Sequence, residues 1–266
     1  MENTFAKTHA VSHSKAGART GMSPIGAREM LIAEMPELEK LLKAENLSGL
    51  TGRIIKPRMF STINNLYVLR RLFAEIKPER TLEIGIAFGA SAVLFSLLHK
   101  AHSSHPEGAH QGIDPFQISD FDGCAVKFLK DHGLESIFRF HYKPSGEVLP
   151  TLLTNGNRFQ LIYVDGSHLF EDVFVDFFYS HRLLEPGGII AFDDTQDPHV
   201  LKVVRFIRNN YSEFYEELSP YDYQFGHPLK LKVKSAVARL TSSQHLTIFR
   251  KTHDGVRKWN ARFNNF

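Results

Sequence analysis

A chain of 266 residues with 42% hydrophobic side chains and 22 Phe can fill one sizeable core but falls short of two full doubly wound domains. Its single cysteine, Cys124, excludes an internal disulfide and fits a reducing cytoplasm, and no stretch reaches the roughly 18 apolar residues of a membrane span. The formal net charge of +3 is uneven: from His227 onward nine Lys or Arg stand against one acid, Asp254, a pattern that fits no recognisable nucleic-acid module.

The first 25 residues lack an apolar secretory core and read as a polar, disordered tail. From Ala27 to Ala44, Met30, Leu31, Met35, Leu38, Leu41 and Leu42 recur at helical spacing, and Thr62 to Ile76 predicts a second helix; together they form a helical cap over residues 26–77. Thr81-Leu-Glu83-Ile begins as an apolar strand, turns through Gly85, Ala87 and Gly89, and enters a helix over Ala90 to Leu98 that includes Ser91. Glycines there let backbone approach a ligand closely. A second apolar segment ends at Gly112-Ile-Asp114, where a doubly wound sheet places a carboxylate on ribose hydroxyls. His99, His102, His105 and His110 crowd the intervening helix end and loop, but no cysteine is near and their spacing fits no zinc site.

Further along, Val126 to Asp131 reads as a helix, Ile137 to Tyr142 as extended and Glu147 to Leu153 as a short helix. The strands Leu161 to Val164 and Gly188 to Phe192 end in Asp165-Gly-Ser-His168 and Asp193-Asp194, joined by a helix whose Phe170, Phe174, Phe177 and Phe178 favour core packing. If these strands are parallel neighbours, three carboxylates and a histidine converge within a small volume, and like charges that close need a cation, a proton or a donor. A hard divalent metal on Asp165, Asp193 and Asp194, with His168 as a base beside it, is the simplest arrangement; a turn and N-cap role is the plainer one for the Asp193-Asp194 pair. A helix over His199 to Asn210 precedes two antiparallel final strands, Glu213 to Leu218 and Leu246 to Arg250. Between them, residues 221–243 read as a helical insertion whose Tyr221, Tyr223 and Phe225 line an acceptor pocket, pack at a surface or make a dimer contact. The alternation predicts an α/β fold: a Rossmann-like, doubly wound seven-stranded sheet with an antiparallel last strand and N-terminal helices, one domain over residues 26–251 with a basic tail, 252–266.

In order, Glu83-x-Gly85-x-x-x-Gly89, Ile-Asp114, Val-Asp165-Gly-Ser-His168 and Pro-Gly-Gly-Ile-Ile-Ala-Phe-Asp193-Asp194 resemble the class I S-adenosylmethionine-dependent methyltransferases. Within them the pattern is similar to the metal-dependent macrolide sugar O-methyltransferases and the cephalosporin hydroxylase-like group, from about Thr81 to Thr195. The resemblance implies that Glu83, Gly85, Ala87, Gly89, Ser91, Asp114 and Asp165 hold S-adenosylmethionine. It further implies that Asp165, Asp193 and Asp194 bind Mg²⁺ and that His168, with Asp165, is catalytic. Ala87 departs from the usual middle glycine, and Ser145 or Glu147 stands where an acidic residue often meets adenine. The implied activity is metal-assisted O-methylation of a sugar or other small molecule in the cytoplasm. An NAD-dependent oxidoreductase or a silent cofactor-binding protein of the same fold is the alternative. The basic C-terminal region reads as a solvated face, a homo-oligomer contact, or an attractor of an anionic glycoconjugate, with no nucleic acid expected.

Overall fold

The computed structural model describes residues 26, 31, 34–58, 60–224, 229–231, 233 and 244–266. The predicted disordered tail and most of the 221–243 insertion, Phe225 included, lie outside the described residues. Of the first predicted helix, α1 covers Pro36–Leu42, with Pro36 entering at the first turn, where its missing N–H is no loss. A two-stranded hairpin follows, β1 (Leu47–Ser48) against β2 (Ile54–Ile55). Helix α2 (Ile63–Ile76) starts at Thr62, whose side chain accepts from the Asn65 amide, and stops at Lys77 in a left-handed conformation.

From there strands and helices alternate: β3 (Thr81–Ile84), α3 (Ala90–His102), β4 (His110–Ile113), α4 (Cys124–Asp131), β5 (Phe138–His141) and α5 (Ser145–Thr154). They continue as β6 (Phe159–Val164), α6 (Phe170–Leu183), β7 (Leu184–Phe192), α7 (Pro198–Asn210), β8 (Tyr215–Leu218) and β9 (Thr247–Lys251). The sheet order is β5-β4-β3-β6-β7-β9-β8. All neighbours are parallel except β9, which runs antiparallel to both β7 and β8, so the last strand inserts one place in from the edge. The predicted doubly wound, seven-stranded sheet is therefore the observed one.

Alternation along β6 divides the core. Leu161 and Tyr163 join the layer made with Leu66, Phe73, Val93 and Phe95, while Ile162 and Val164 join the opposite layer with Phe177, Phe192 and Phe206. Phe177 is buried as expected, whereas Phe178 is partly exposed beneath the Arg182 guanidinium.

Register is what makes a site. Ile84 lies opposite both Ile113 and Val164, and Val164 lies opposite Phe192. The four strands therefore end level, and Gly85, Asp114, Asp165 and Asp193 follow in a row at the carboxyl edge, where α/β sheets bind ligands. The ladder runs on into this row: the Gly85 amide donates to Ile113 O at 2.9 Å, Asp165 N to Ile84 O at 2.8 Å and Asp193 N to Val164 O at 3.0 Å.

Candidate active site

The turn from β3 into α3 is built from left-handed backbone. Gly85, Ala87 and Gly89 have φ of 87°, 45° and 87°. At Gly85 a side chain has no room: an added Cβ would lie 2.0 Å from the Asp165 carbonyl oxygen. The glycine thus lets the turn press on the neighbouring strand end. Gly89 opens α3 without a side-chain cap, which leaves first-turn amides for a ligand or solvent.

Asp114 braces this turn from the adjacent strand. Its Oδ2 accepts from Ile86 N at 3.2 Å, Ala87 N at 2.9 Å and Gln117 Nε2 at 3.2 Å, while Oδ1 accepts from Phe116 N at 2.8 Å. Three donors crowd Oδ2 while Oδ1 accepts one, so Oδ1 keeps an acceptor site that a ribose hydroxyl could use.

Glu83 and Ser91 lie beneath the turn. Glu83 is fully buried, accepts a short hydrogen bond from Ser91 Oγ and sits 3.1 Å from His110 Nε2. Burial pushes its carboxyl up to about 8, against the opposing pull of Ser91. His110 Nδ1 continues to Thr81 Oγ1 at 2.9 Å, Thr81 to His99 Nε2 at 2.9 Å, and His99 Nδ1 to Ser103 Oγ at 2.9 Å. Burial lowers both histidines to about 3, so they are neutral links in this chain. Two of the four clustered histidines are therefore structural partners of Glu83.

On the other side of the turn, the acids of β6 and β7 divide into two groups. Asp193 is buried, accepts from Asn65 Nδ2 at 2.8 and 3.0 Å and from the Asp194 amide at 2.8 Å, and takes a short hydrogen bond from Tyr163 Oη. Tyr163 Oη also lies 3.1 Å from Asp165 Oδ2, and Ser61 Oγ reaches the same oxygen at 3.4 Å. The sequence reading gave Asp193 to a metal together with Asp165 and Asp194. In the structure its oxygens are engaged by Asn65, Tyr163 and backbone, while Asp165, His168 and Asp194 offer ligand atoms all within 4.8 Å of one another. His168 Nε2 lies 3.3 Å from Asp194 Oδ2, and its Nδ1 is 4.0 Å from Asp197 Oδ2. Asp194 reaches this position in a left-handed conformation, φ 47°. Burial, then the neighbouring Asp193, Glu83 and Asp194, raise Asp165 well above the usual carboxylate range; burial likewise raises Asp193. Carboxylates in that condition suit a cation.

Ser145 falls elsewhere. It opens α5 and its side chain bonds to buried Asp176 of α6. There it makes an interhelical contact. Of the aromatic entry, Tyr223 packs under Arg71 of α2, with the ring centroid 5.8 Å from the guanidinium.

Asn65, Tyr163 and Ser61 were not anticipated. Tyr163 was within reach of the sequence, because it precedes Asp165 by two and so shares its face of the strand. Asn65 and Ser61 needed the docking of α2, which no local pattern gives.

Residues 82–195 match the family model described as a methyltransferase domain. The uncharacterized protein R132 of Acanthamoeba polyphaga mimivirus is 31% identical over 105 residues, 36% of this chain, and the chain spans 47% of that protein's length. The O-methyltransferase from Bacillus cereus in complex with SAH has a similar structure, TM-score 0.54 at 16% identity, covering 72% of this chain and 89% of that one. The O-methyltransferase TomG from Streptomyces achromogenes, involved in Tomaymycin synthesis and solved in complex with SAM, gives 0.52 at 17% identity over 85% and 89% of the two chains. At such identities the structural likeness is one of fold. The family match thus covers the segment that carries the glycine turn and both acidic strand ends, and the fold around it is the one shared with these two structures.

Proposed function

We propose that this chain transfers a methyl group from S-adenosylmethionine to a hydroxyl of a sugar or other small molecule, assisted by a divalent cation. One observation carries the reading: the level strand ends bring the glycine turn, Asp114, Asp165, His168 and Asp194 to one pole. The residues fit both groups. The left-handed turn at 85–89 and the uncapped start of α3 form a cradle, and Asp165, His168 and Asp194 form an oxygen-rich donor set.

S-adenosylmethionine supplies an activated methyl group, and a divalent cation supplies charge that lowers the acidity barrier of a bound hydroxyl. The chain's own residues then position and deprotonate. Gly85 to Gly89 fix the cofactor against the end of β6; Asp114 keeps that turn rigid and offers an oxygen toward the ribose. Asp165 stands between the two groups, with Tyr163 and Ser61 limiting its rotation. In this arrangement His168 would either complete the donor set or, left free of the cation, take the proton of the acceptor hydroxyl.

A second role for His168, general base, is favoured by its half-exposed ring between Asp194 and Asp197, open to an incoming hydroxyl. The two roles separate experimentally. S-adenosylmethionine binding should be measurable by calorimetry and persist in Asp165→Asn, Asp194→Asn and His168→Gln, while Mn²⁺ binding, read by electron paramagnetic resonance, should be lost in the two Asp variants. His168→Gln that loses Mn²⁺ binding makes it a ligand; His168→Gln that keeps it while turnover falls about 10²-fold or more makes it the base. Full activity in excess chelator would remove the cation from the mechanism. No binding of S-adenosylmethionine, with NAD bound instead, would replace the reading with the oxidoreductase one.

A further inference from the structure

Trp259 is the one tryptophan of the chain, and 97% of it is exposed. A large aromatic ring normally gains free energy by burial. Here it is held outward by an ordered turn. The Ala261 amide donates to Lys258 O at 2.9 Å, closing a tight turn with Trp259 and Asn260 at its tip, and Arg257 Nη2 donates to Arg262 O at 2.8 Å across its base. Both legs are tied to the fold. On one side, Asp254 pairs with Lys251 at 2.6 Å and Arg158 at 3.0 Å, and Gly255 O is 2.9 Å from His181 Nε2. On the other, Asn264 exchanges hydrogen bonds with Asn210 at 2.8 and 3.0 Å, and Phe266 packs edge-on to Phe206 of α7.

The surroundings define what this tip would meet. Val256 and Phe263, at 66% and 58% exposure, add apolar surface on either side. Arg257, Lys258 and Arg262 supply positive charge, no acid occurs in residues 255–266, and no carboxylate among the described residues pairs with these three. Cations flanking a tryptophan with aliphatic and aromatic neighbours match the boundary between anionic headgroups and acyl chains. A single-stranded nucleic acid would instead use a groove with successive stacking rings, and this is a convex tip with one exposed indole. The tip also lies at the pole opposite the site. Strand β9 runs antiparallel to β7, pairing Thr247 with Phe192 at the catalytic end and Arg250 with Ile189 further back, so the segment after Lys251 emerges at the far end.

We propose that the Val256–Phe263 turn docks this protein peripherally on an anionic lipid surface, with the Trp259 indole at the headgroup boundary and the catalytic pole turned away from it. Because Trp259 is the sole tryptophan, its fluorescence reports the contact directly. The full chain is titrated with vesicles of phosphatidylcholine and phosphatidylserine at 7:3, with pure phosphatidylcholine vesicles, and with a single-stranded oligonucleotide; co-sedimentation is read alongside.

A blue shift and co-sedimentation with the anionic vesicles alone, reversed by high salt, is the expected result. At about 1 kcal/mol per basic residue at such a surface, Lys258→Gln with Arg262→Gln should weaken binding by about 25-fold while keeping the reporter. Trp259→Ala should lower co-sedimentation by about tenfold or more, with unchanged thermal stability as its control. An emission maximum that stays that of a fully solvated indole at saturating anionic vesicles would overturn the proposal. So would a shift with the oligonucleotide only, or one that grows with protein concentration in the absence of lipid.

Discussion

At Ala87 the backbone carries a residue the turn does not favour. Its φ of 45° lies in the left-handed region, which an L-residue with a Cβ enters at a penalty of about 1 kcal/mol, and the neighbours Gly85 and Gly89 sit in the same region without that penalty. Ala87→Gly should relieve the strain and lose some of the gain to unfolded-state entropy, giving a net change between about zero and 1 kcal/mol of stabilisation in urea unfolding. The neighbouring glycine behaves differently. Gly85→Ala adds both a left-handed Cβ and a 2.0 Å clash with the Asp165 carbonyl, so it should destabilise by several kcal/mol, on the order of 3 or more, through the fold itself. A bulky residue at 85 therefore tests the packing of β3 against β6 before it tests the cofactor. An Ala87→Gly variant markedly less stable than the parent, or a Gly85→Ala variant of normal stability, would refute this account of the turn.

Between elements, the site depends on how α2 docks. Asn65 in its first turn donates to both oxygens of Asp193 at the end of β7, while Tyr163 of β6 donates to the same carboxylate. This buried group is satisfied only because helix and strands arrive together. Asn65→Ala should leave part of the Asp193 carboxylate without donors and destabilise by about 1–3 kcal/mol; Asn65→Asp, which places a second carboxylate against it, should cost more at neutral pH than at pH 5. Equal effects of the two changes at both pH values would show that the contact is not electrostatic. This interplay also marks what the sequence made legible. The strand ends at Ile84, Ile113, Val164 and Phe192 were readable because apolar runs stop there in Gly or Asp, and level ends follow from the parallel register. The different orientations of Asp193 and Asp194 were not readable. Two adjacent acids look alike in sequence, and only the approach of Asn65 and Tyr163 decides that Asp193 turns inward while Asp194, at φ 47°, turns toward His168. Trp259 was equally silent, since exposure of an apolar residue is set by the loop that carries it.

Across the whole molecule, buried titratable groups oppose one another and set the pH of greatest stability. His99 and His110 are lowered to about 3 and His181 to about 4, chiefly by burial, from an ordinary value of 6.5. The unfolded chain therefore binds more protons at these positions between those values and 6.5, and stability rises with pH across that window. Glu83, raised to about 8, and Asp176, raised to about 7, act in the opposite sense: the folded chain holds their protons longer, so stability falls as pH climbs from about 4 through 7 and 8. Asp165 and Asp193, also raised, add to the loss in the metal-free protein. Above 6.5 the histidine gain is exhausted and only the carboxylate loss continues. The metal-free chain should accordingly be most stable at or below about pH 6.5 and lose stability steadily to about pH 8. Glu83→Gln is the diagnostic change, because its amide can still accept from Ser91 and donate to the unprotonated His110 Nε2 while having no proton to lose. Chemical unfolding from pH 5 to 9 should show the alkaline decline flattened in Glu83→Gln, with the variant overtaking the parent near pH 8. A decline of undiminished slope in the variant would mean that Glu83 is already ionised in the folded chain, and the directed sequence of hydrogen bonds from Glu83 through His110, Thr81 and His99 to Ser103 would run the other way, while Ser91 would still donate to the carboxylate.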